Sequence, residues 1–135
     1  MKVGFATSDN ILINDHFGWA KNFAVYEINQ DGFNFLENRH FEEEMEELDK
    51  IDKKIEGLKD LRIIFVESIG GTAAAKVIKC GIHPVKSKPN DKIEEVMKEL
   101  KAVLSKNPPP WLKKIIIKES GKGRETIDGT NIAYL

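Results

Sequence analysis

The stretch that decides the fold is RIIFVESIGGTAAAKVIKCGIHPVK, residues 62–86. Arg62–Glu67 is close to a continuous apolar run, the pattern of a central strand covered on both faces. Gly70, Gly71 and Thr72 then open a short helix over Ala73–Cys80, and Gly81 is placed to end it. Ile82–Lys86 reads as another strand. Pro84 within it predicts a sheet edge, because proline donates no ladder hydrogen bond. Strand, helix and strand in so short a span imply a parallel pair joined by a right-handed crossover.

Toward the N-terminus the period is two. Lys2–Thr7 predicts a strand with Val3 and Phe5 on one face and Gly4 and Ala6 on the other. Phe23–Ile28 and Phe33–His40 predict two more strands, antiparallel to each other across the turn Asn29–Gly32. The period then changes: Met45, Leu48, Ile51, Ile55 and Leu58 form one apolar stripe of an amphipathic helix. Its acidic start at Glu42–Glu44 suits a helix dipole. Beyond residue 86, Asp91 with Glu94 resembles a capping box. Ile93, Val96, Met97, Leu100, Val103 and Leu104 repeat at helical spacing behind it. Asn107 and Pro108–Pro110 stop that helix. Trp111–Lys118 suggests a last one, against the β-branched preference of Ile115–Ile117. The order is three strands, helix, strand, helix, strand, helix. That is an α/β chain with a mixed five-stranded sheet and flanking helices. Residues 1–118 are expected to form one domain, and 119–135 an extension with no assignment.

Composition excludes several functions. The chain has 135 residues and a net charge of −1, so no global basic field attracts nucleic acid or an acidic membrane. No apolar run approaches the roughly 18 residues of a membrane span. The opening MKVGFATSD reads as a strand rather than a secretory leader. Cys80 is the one cysteine, so no intrachain disulfide can form, and a cytoplasmic setting fits. A conventional iron–sulfur site needs about four thiolates, so a ferredoxin is excluded, as is a zinc ribbon.

Three places can carry chemistry. The first is NDHFGWAKNF, residues 14–23, which puts His16 in a loop beside Phe17, Gly18 and Trp19. A neutral imidazole is a good iron ligand, and Gly18 lets the backbone turn or come close to a bulky ligand. Phe17 and Trp19 either wall such a site or simply pack. On spacing alone, a lone loop histidine is more often structural. The second is the turn Gly70–Gly71–Thr72, whose free N–H groups suit an anion. A tight strand-to-helix turn with small residues is the better explanation on sequence alone, since no phosphate-loop pattern is present. The third is NPPPWL, residues 107–112, either a partner motif or a rigid corner that docks Trp111. Cys80 at a helix end is expected to be a small buried residue, with a cluster-ligand role the minority reading. His40 and His83 fall at strand positions and are expected to be structural. The run Glu42–Glu47 reads as a solvated helix face.

Four stretches together resemble the dinitrogenase iron–molybdenum cofactor biosynthesis family of the NifX/NafY type, which also supplies the C-terminal domain of many NifB proteins. They are VGFATSD (3–9), DHFGWA (15–20) running on to Phe23 and Tyr26, IGGTAAA (69–75) with GIHPV (81–85), and NPPPWL (107–112). The last points to the NifX-like branch. The resemblance implies a ribonuclease-H-like fold. It implies a non-enzymatic carrier that binds an iron–sulfur precursor cluster, or the iron–molybdenum cofactor itself, transiently as cargo. Its expected partners are assembly proteins, a cluster-synthesising NifB-type enzyme and a NifEN-type scaffold, with no nucleic acid and no membrane. The histidine of the family's DxHFG motif falls on His16, the implied metal ligand, with Phe17 and Gly18 beside it. The residue two before it is Asn14 here, and Trp19 stands where many relatives have a basic residue. Gly70, Gly71 and Thr72 become the implied anion contact. Two other readings compete. A nuclease on this fold needs clustered carboxylates, but the relevant strand positions carry Gly4, Ala6, Val25 and Val66. A regulatory protein that binds apo-nitrogenase or a scaffold, with cluster binding secondary, fits the sequence as well.

Overall fold

The computed structural model describes residues 1–41 and 47–119. Its elements are β1 (Lys2–Ala6), β2 (Asn22–Asn29), β3 (Gly32–His40), α1 (Glu47–Glu56), β4 (Ile63–Val66), α2 (Gly71–Lys79), β5 (His83–Lys86), α3 (Ile93–Ser105) and α4 (Pro110–Glu119). The strands form one sheet in the order β3-β2-β1-β4-β5. β2 is antiparallel to both β1 and β3, whereas β1, β4 and β5 run parallel. The mixed five-stranded sheet is the one expected, and β5 with Pro84 is indeed an edge.

Helices cover both faces, and β4 shows why its sequence is apolar throughout. Ile64 and Val66 enter a core with Ile55 of α1, Leu58 just after it, and Ala73 and Val77 of α2. Ile63 and Phe65 enter the opposite core with Met97 and Leu100 of α3 and Leu112 and Ile115 of α4. Each such side chain taken out of water contributes about 1.5–3 kcal/mol, so alternation within four residues ties both layers to one strand. The packing of Ile115, 4% exposed, overrides the β-branched preference that argued against α4. His83 stacks on Trp111 with ring centroids 4.2 Å apart, and burial lowers its pKa. The NPPPWL corner therefore docks Trp111, with Pro110 at the first helical position.

Helix ends follow local chemistry with one exception. α2 closes as a Schellman turn: Gly81, at φ 85°, donates its N–H to the Ile78 carbonyl, and Ile82 donates to that of Val77. The capping box at Asp91 does not form. Its Oδ2 accepts from the backbone N–H of Lys88 at 2.8 Å, and Lys92 occupies the cap position without a side-chain bond. The acidic start expected at Glu42–Glu44 and the extension after residue 119 lie outside the described residues. Among the described residues, no helix is long and apolar enough to cross a membrane.

The parallel, central strands β1 and β4 end at the same end of the sheet. From there the chain leaves β1 toward β2 and leaves β4 toward β5, on opposite sides. In an open α/β sheet the usual place for a ligand is outside the carboxyl ends of the strands at such a switch point.

A candidate cargo site where two connections meet

The connection after β1, residues 7–21, is built from its own polar side chains. Asp9 Oδ1 accepts from the N–H groups of Ile11 and Leu12, both at 2.9 Å, and these bonds hold its carboxyl below the ordinary carboxylate value. Asn14 closes on Ser8, accepting from its N–H and donating to its hydroxyl, each at 3.0 Å. The chain then runs beside the end of β4. The Glu67 N–H donates to the Asp15 carbonyl at 3.0 Å, and the Phe17 N–H donates to the Ser68 carbonyl at 2.8 Å. His16 and Ser68 thus form a parallel bridge.

His16 sits at the start of a tight turn. Its carbonyl accepts from the N–H groups of Trp19 and Ala20, at 3.0 and 2.9 Å. Its ring Nδ1 accepts from the N–H of Gly18 at 2.9 Å. His16 is half-buried. A Cβ at Gly18 would stand 3.4 Å from both Nδ1 and Cε1, at the near limit of ordinary contact with the imidazole. Phe17 was expected to contact a ligand, but its side chain is fully buried in the core against Phe23. It anchors the turn from below. Trp19 is 73% exposed and does not pack.

What holds the turn is a residue that sequence reasoning missed. Lys54 of α1 is 1% exposed, and its Nζ donates to the carbonyls of Phe17 at 2.9 Å and Ala20 at 2.8 Å. The same ammonium lies 5.6 Å from the centroid of the Phe17 ring and 5.9 Å from that of Phe41. The signal was available: Ile51, Lys54, Ile55 and Leu58 share one helical face, so a lysine interrupts an apolar stripe. Asp15 feels the same charge. Burial pushes its carboxyl above the ordinary value, Glu67 adds to the shift, and Lys54 opposes it.

The turn after β4 lies alongside. Gly70 caps α2 in an extended conformation, no side chain caps the helix, and its first turn holds no acidic residue. Gly71 and Thr72 are exposed. The first N–H groups of α2 therefore face solvent two or three residues beyond the Ser68 partner of His16, where a helix start favours negative charge. On the other flank, an open cleft of about 560 Å³ is lined by Asp9, Asp15, Trp19, Lys21, Asn38 and His40, among others. His40, expected to be structural, faces this cleft. Cys80 is exposed rather than buried, and it lies at the far end of α2, roughly 13 Å of helix from Gly71. The structure thus brings His16, Gly18 and the start of α2 together and leaves out Cys80, His83 and the side chain of Phe17.

The arrangement meets its relatives at this point. Residues 1–103 match the family model described as dinitrogenase iron-molybdenum cofactor. The chain belongs to that family. It is 40% identical over 130 residues to protein NifX of Herbaspirillum seropedicae, covering 94% of this chain and 86% of that one. It is 37% identical over 87 residues to the FeMo cofactor biosynthesis protein NifB of Bradyrhizobium diazoefficiens, covering 62% of this chain and 17% of that one. The crystal structure of PH0822 shares the fold, with a TM-score of 0.63 at 23% identity over 76% of this chain and 89% of that one. Membership ties the chain to nitrogen fixation and to biosynthesis of the iron–molybdenum cofactor.

Proposed function

We propose that the protein is a non-catalytic carrier. It binds an iron–sulfur precursor of the iron–molybdenum cofactor, or a later form, and passes it between assembly proteins in the cytoplasm. A NifB-type enzyme is the source and a NifEN-type scaffold the recipient. One observation carries the reading: a half-buried histidine on a clamped turn is bridged to Ser68, beside the uncapped start of α2. Nδ1 is engaged within the turn, so Nε2 is the nitrogen left for cargo. Backbone N–H groups of Gly70, Gly71 and Thr72 offer an anionic cluster positive ends of dipoles without a cage of thiolates. Few bonds suit a cargo that must leave again. Among the described residues, no three His, Cys, Asp or Glu side chains gather to hold a metal ion. Retention therefore depends on contacts to the cluster as a whole.

The test is iron retained through anaerobic gel filtration after the cofactor is supplied. His16→Ala gives up one hydrogen bond, from the Gly18 N–H, at a half-buried position, so it should fold with stability within about 1 kcal/mol of wild type and should lose most of the iron. Equal iron in both proteins would remove His16 from the site. The regulatory reading draws on Trp19, an exposed aromatic of the kind enriched at protein interfaces. Loss of scaffold binding in Trp19→Ala, with iron retention intact, would favour it.

A further inference from the structure

We infer that His16 meets its cargo as a hydrogen-bond donor through Nε2–H, and not as an iron ligand. The inference rests on the carrier reading above. A neutral imidazole has one ring proton and one ring lone pair, and the neighbours of each nitrogen decide which is which. The Gly18 N–H donates to Nδ1 at 2.9 Å. Nδ1 must then hold the lone pair, and the proton sits on Nε2. Among the described residues, nothing accepts that proton, and the ring is half-buried at the surface.

A histidine prepared for a metal has the opposite surroundings. Its remote nitrogen usually donates to a carboxylate or a carbonyl, which keeps the metal-facing nitrogen bare. Here the remote nitrogen faces a donor. Ligation through Nε2 would move the proton to Nδ1 and press two N–H groups together. Turning the ring over would leave the Gly18 N–H against carbon. Ligation through Nδ1 would have to displace the Gly18 N–H. That N–H has little freedom to move, because the same turn is tied through the His16 carbonyl to Trp19 and Ala20 and through Lys54 to Phe17 and Ala20. Gly18 is thus a positioning residue: its N–H selects the tautomer.

The partner for an outward N–H is an anionic acceptor on the cargo's rim, a bridging sulfide or a carboxylate oxygen of an organic ligand. Such a bond is charge-assisted on the acceptor side and is made and broken without changing the coordination of iron. Handing the cargo on then leaves no iron site to refill.

Two measurements test this. In the apo-protein labelled with ¹⁵N at histidine, at about pH 8 where an ordinary imidazole is neutral, long-range ¹H–¹⁵N correlations should show His16 protonated at Nε2. Protonation at Nδ1 would overturn the inference. The second uses isolated iron–molybdenum cofactor, supplied anaerobically, as the probe. Wild type, His16→Gln and His16→Ala are compared, with folding checked by thermal melting. The glutamine amide keeps an N–H near the place of Nε2 but is a poor ligand for iron in a sulfide cluster. His16→Gln should retain iron within roughly threefold of wild type, and His16→Ala should fall roughly tenfold, as loss of one strong hydrogen bond predicts. Retention by wild type with glutamine as poor as alanine overturns the donor role alone. Failure of wild type to retain the cofactor overturns the carrier reading and this inference with it.

Discussion

The connections after β1 and after β4 start at the same end of the sheet, yet they are built in opposite ways. The first is a rigid frame. Its side chains close its own backbone at Asp9 and Asn14, and a lysine from α1 reaches under it to grip two carbonyls. The second is bare. Gly70 and Gly71 are exposed, nothing lies within 4 Å of where a Cβ would stand on either, and no side chain caps the helix they start. One region presents a side chain whose ring accepts a backbone N–H, and the other presents only backbone. The proposed carrier role would place specificity in the first and tolerance in the second, a division that substitution can break.

The largest effect is expected at Lys54. Lys54→Met keeps the aliphatic stem and removes the ammonium. The carbonyls of Phe17 and Ala20 then lose their buried donor, and the variant should be destabilised by about 2–4 kcal/mol, the range for orphaned buried acceptors and broken buried charge networks. Urea unfolding would read this. If the frame is what orients His16, the folded variant should also lose the Nε2–H signature of the ring by NMR. A variant within about 0.5 kcal/mol of wild type would show that the turn closes on its own and that the contrast between the two connections is overstated.

The sheet and helices were legible because their causes are periodic. The two-residue alternation of Val3 and Phe5 and the stripe through Ile93, Met97 and Leu100 mark faces that must be buried somewhere. Gly81 announced the end of α2 because only a residue tolerant of φ 85° closes a helix that way. Asp91 misled because its carboxylate had a nearer donor, the N–H of Lys88, across the turn that Pro89 and Asn90, at φ 65°, make. The site was half legible. His16 is a candidate through its motif, but the N–H that its Nδ1 meets comes from Gly18 and is a fact of folded geometry. Lys54 was readable as a charge on an apolar stripe. Its meaning was not, because the carbonyls it serves are more than thirty residues away in sequence. Phe17 looked like a site wall for the complementary reason: the sequence shows that it neighbours His16 and not that it points the other way.

An exposed charged clamp sharpens what burial contributes at Lys54. Arg39 of β3 makes a two-pronged contact to Asp60, at 2.6 and 2.8 Å, and also donates to the Gly57 carbonyl. Hydrogen bonding to Arg39 holds the Asp60 carboxyl well below the usual carboxylate range. A depressed folded-state pKa stabilises above the unfolded value of about 3.9 and is lost as pH falls toward the folded value. Asp60 is 45% exposed, so solvent screens the pair. Asp60→Asn should therefore cost about 1 kcal/mol or less at neutral pH. Wild type and variant should converge in stability as pH is lowered below about 3. A cost at neutral pH as large as that of Lys54→Met would mean that burial is not what separates the two clamps.

The smallest effect comes from one change made in both connections. Gly71→Ala adds a methyl group to open space in a helix, at a residue whose φ is not positive. Alanine restricts the unfolded chain more than glycine does, so the variant should gain about 0.5 kcal/mol, with the α2 amides still free to meet an anion. Gly18→Ala carries the same entropic gain, but its Cβ meets the His16 ring at 3.4 Å. That distance is the near limit of ordinary contact, so the ring shifts by a few tenths of an ångström at most, and a shift of that kind loosens the 2.9 Å bond from Gly18 to Nδ1. The gain should be cancelled and iron retention should fall, while Gly71→Ala retains iron as wild type does. Thermal melts and anaerobic gel filtration on the two variants decide it. If Gly71→Ala loses the cargo and Gly18→Ala keeps it, the assignment of specificity to the first connection and tolerance to the second must be reversed.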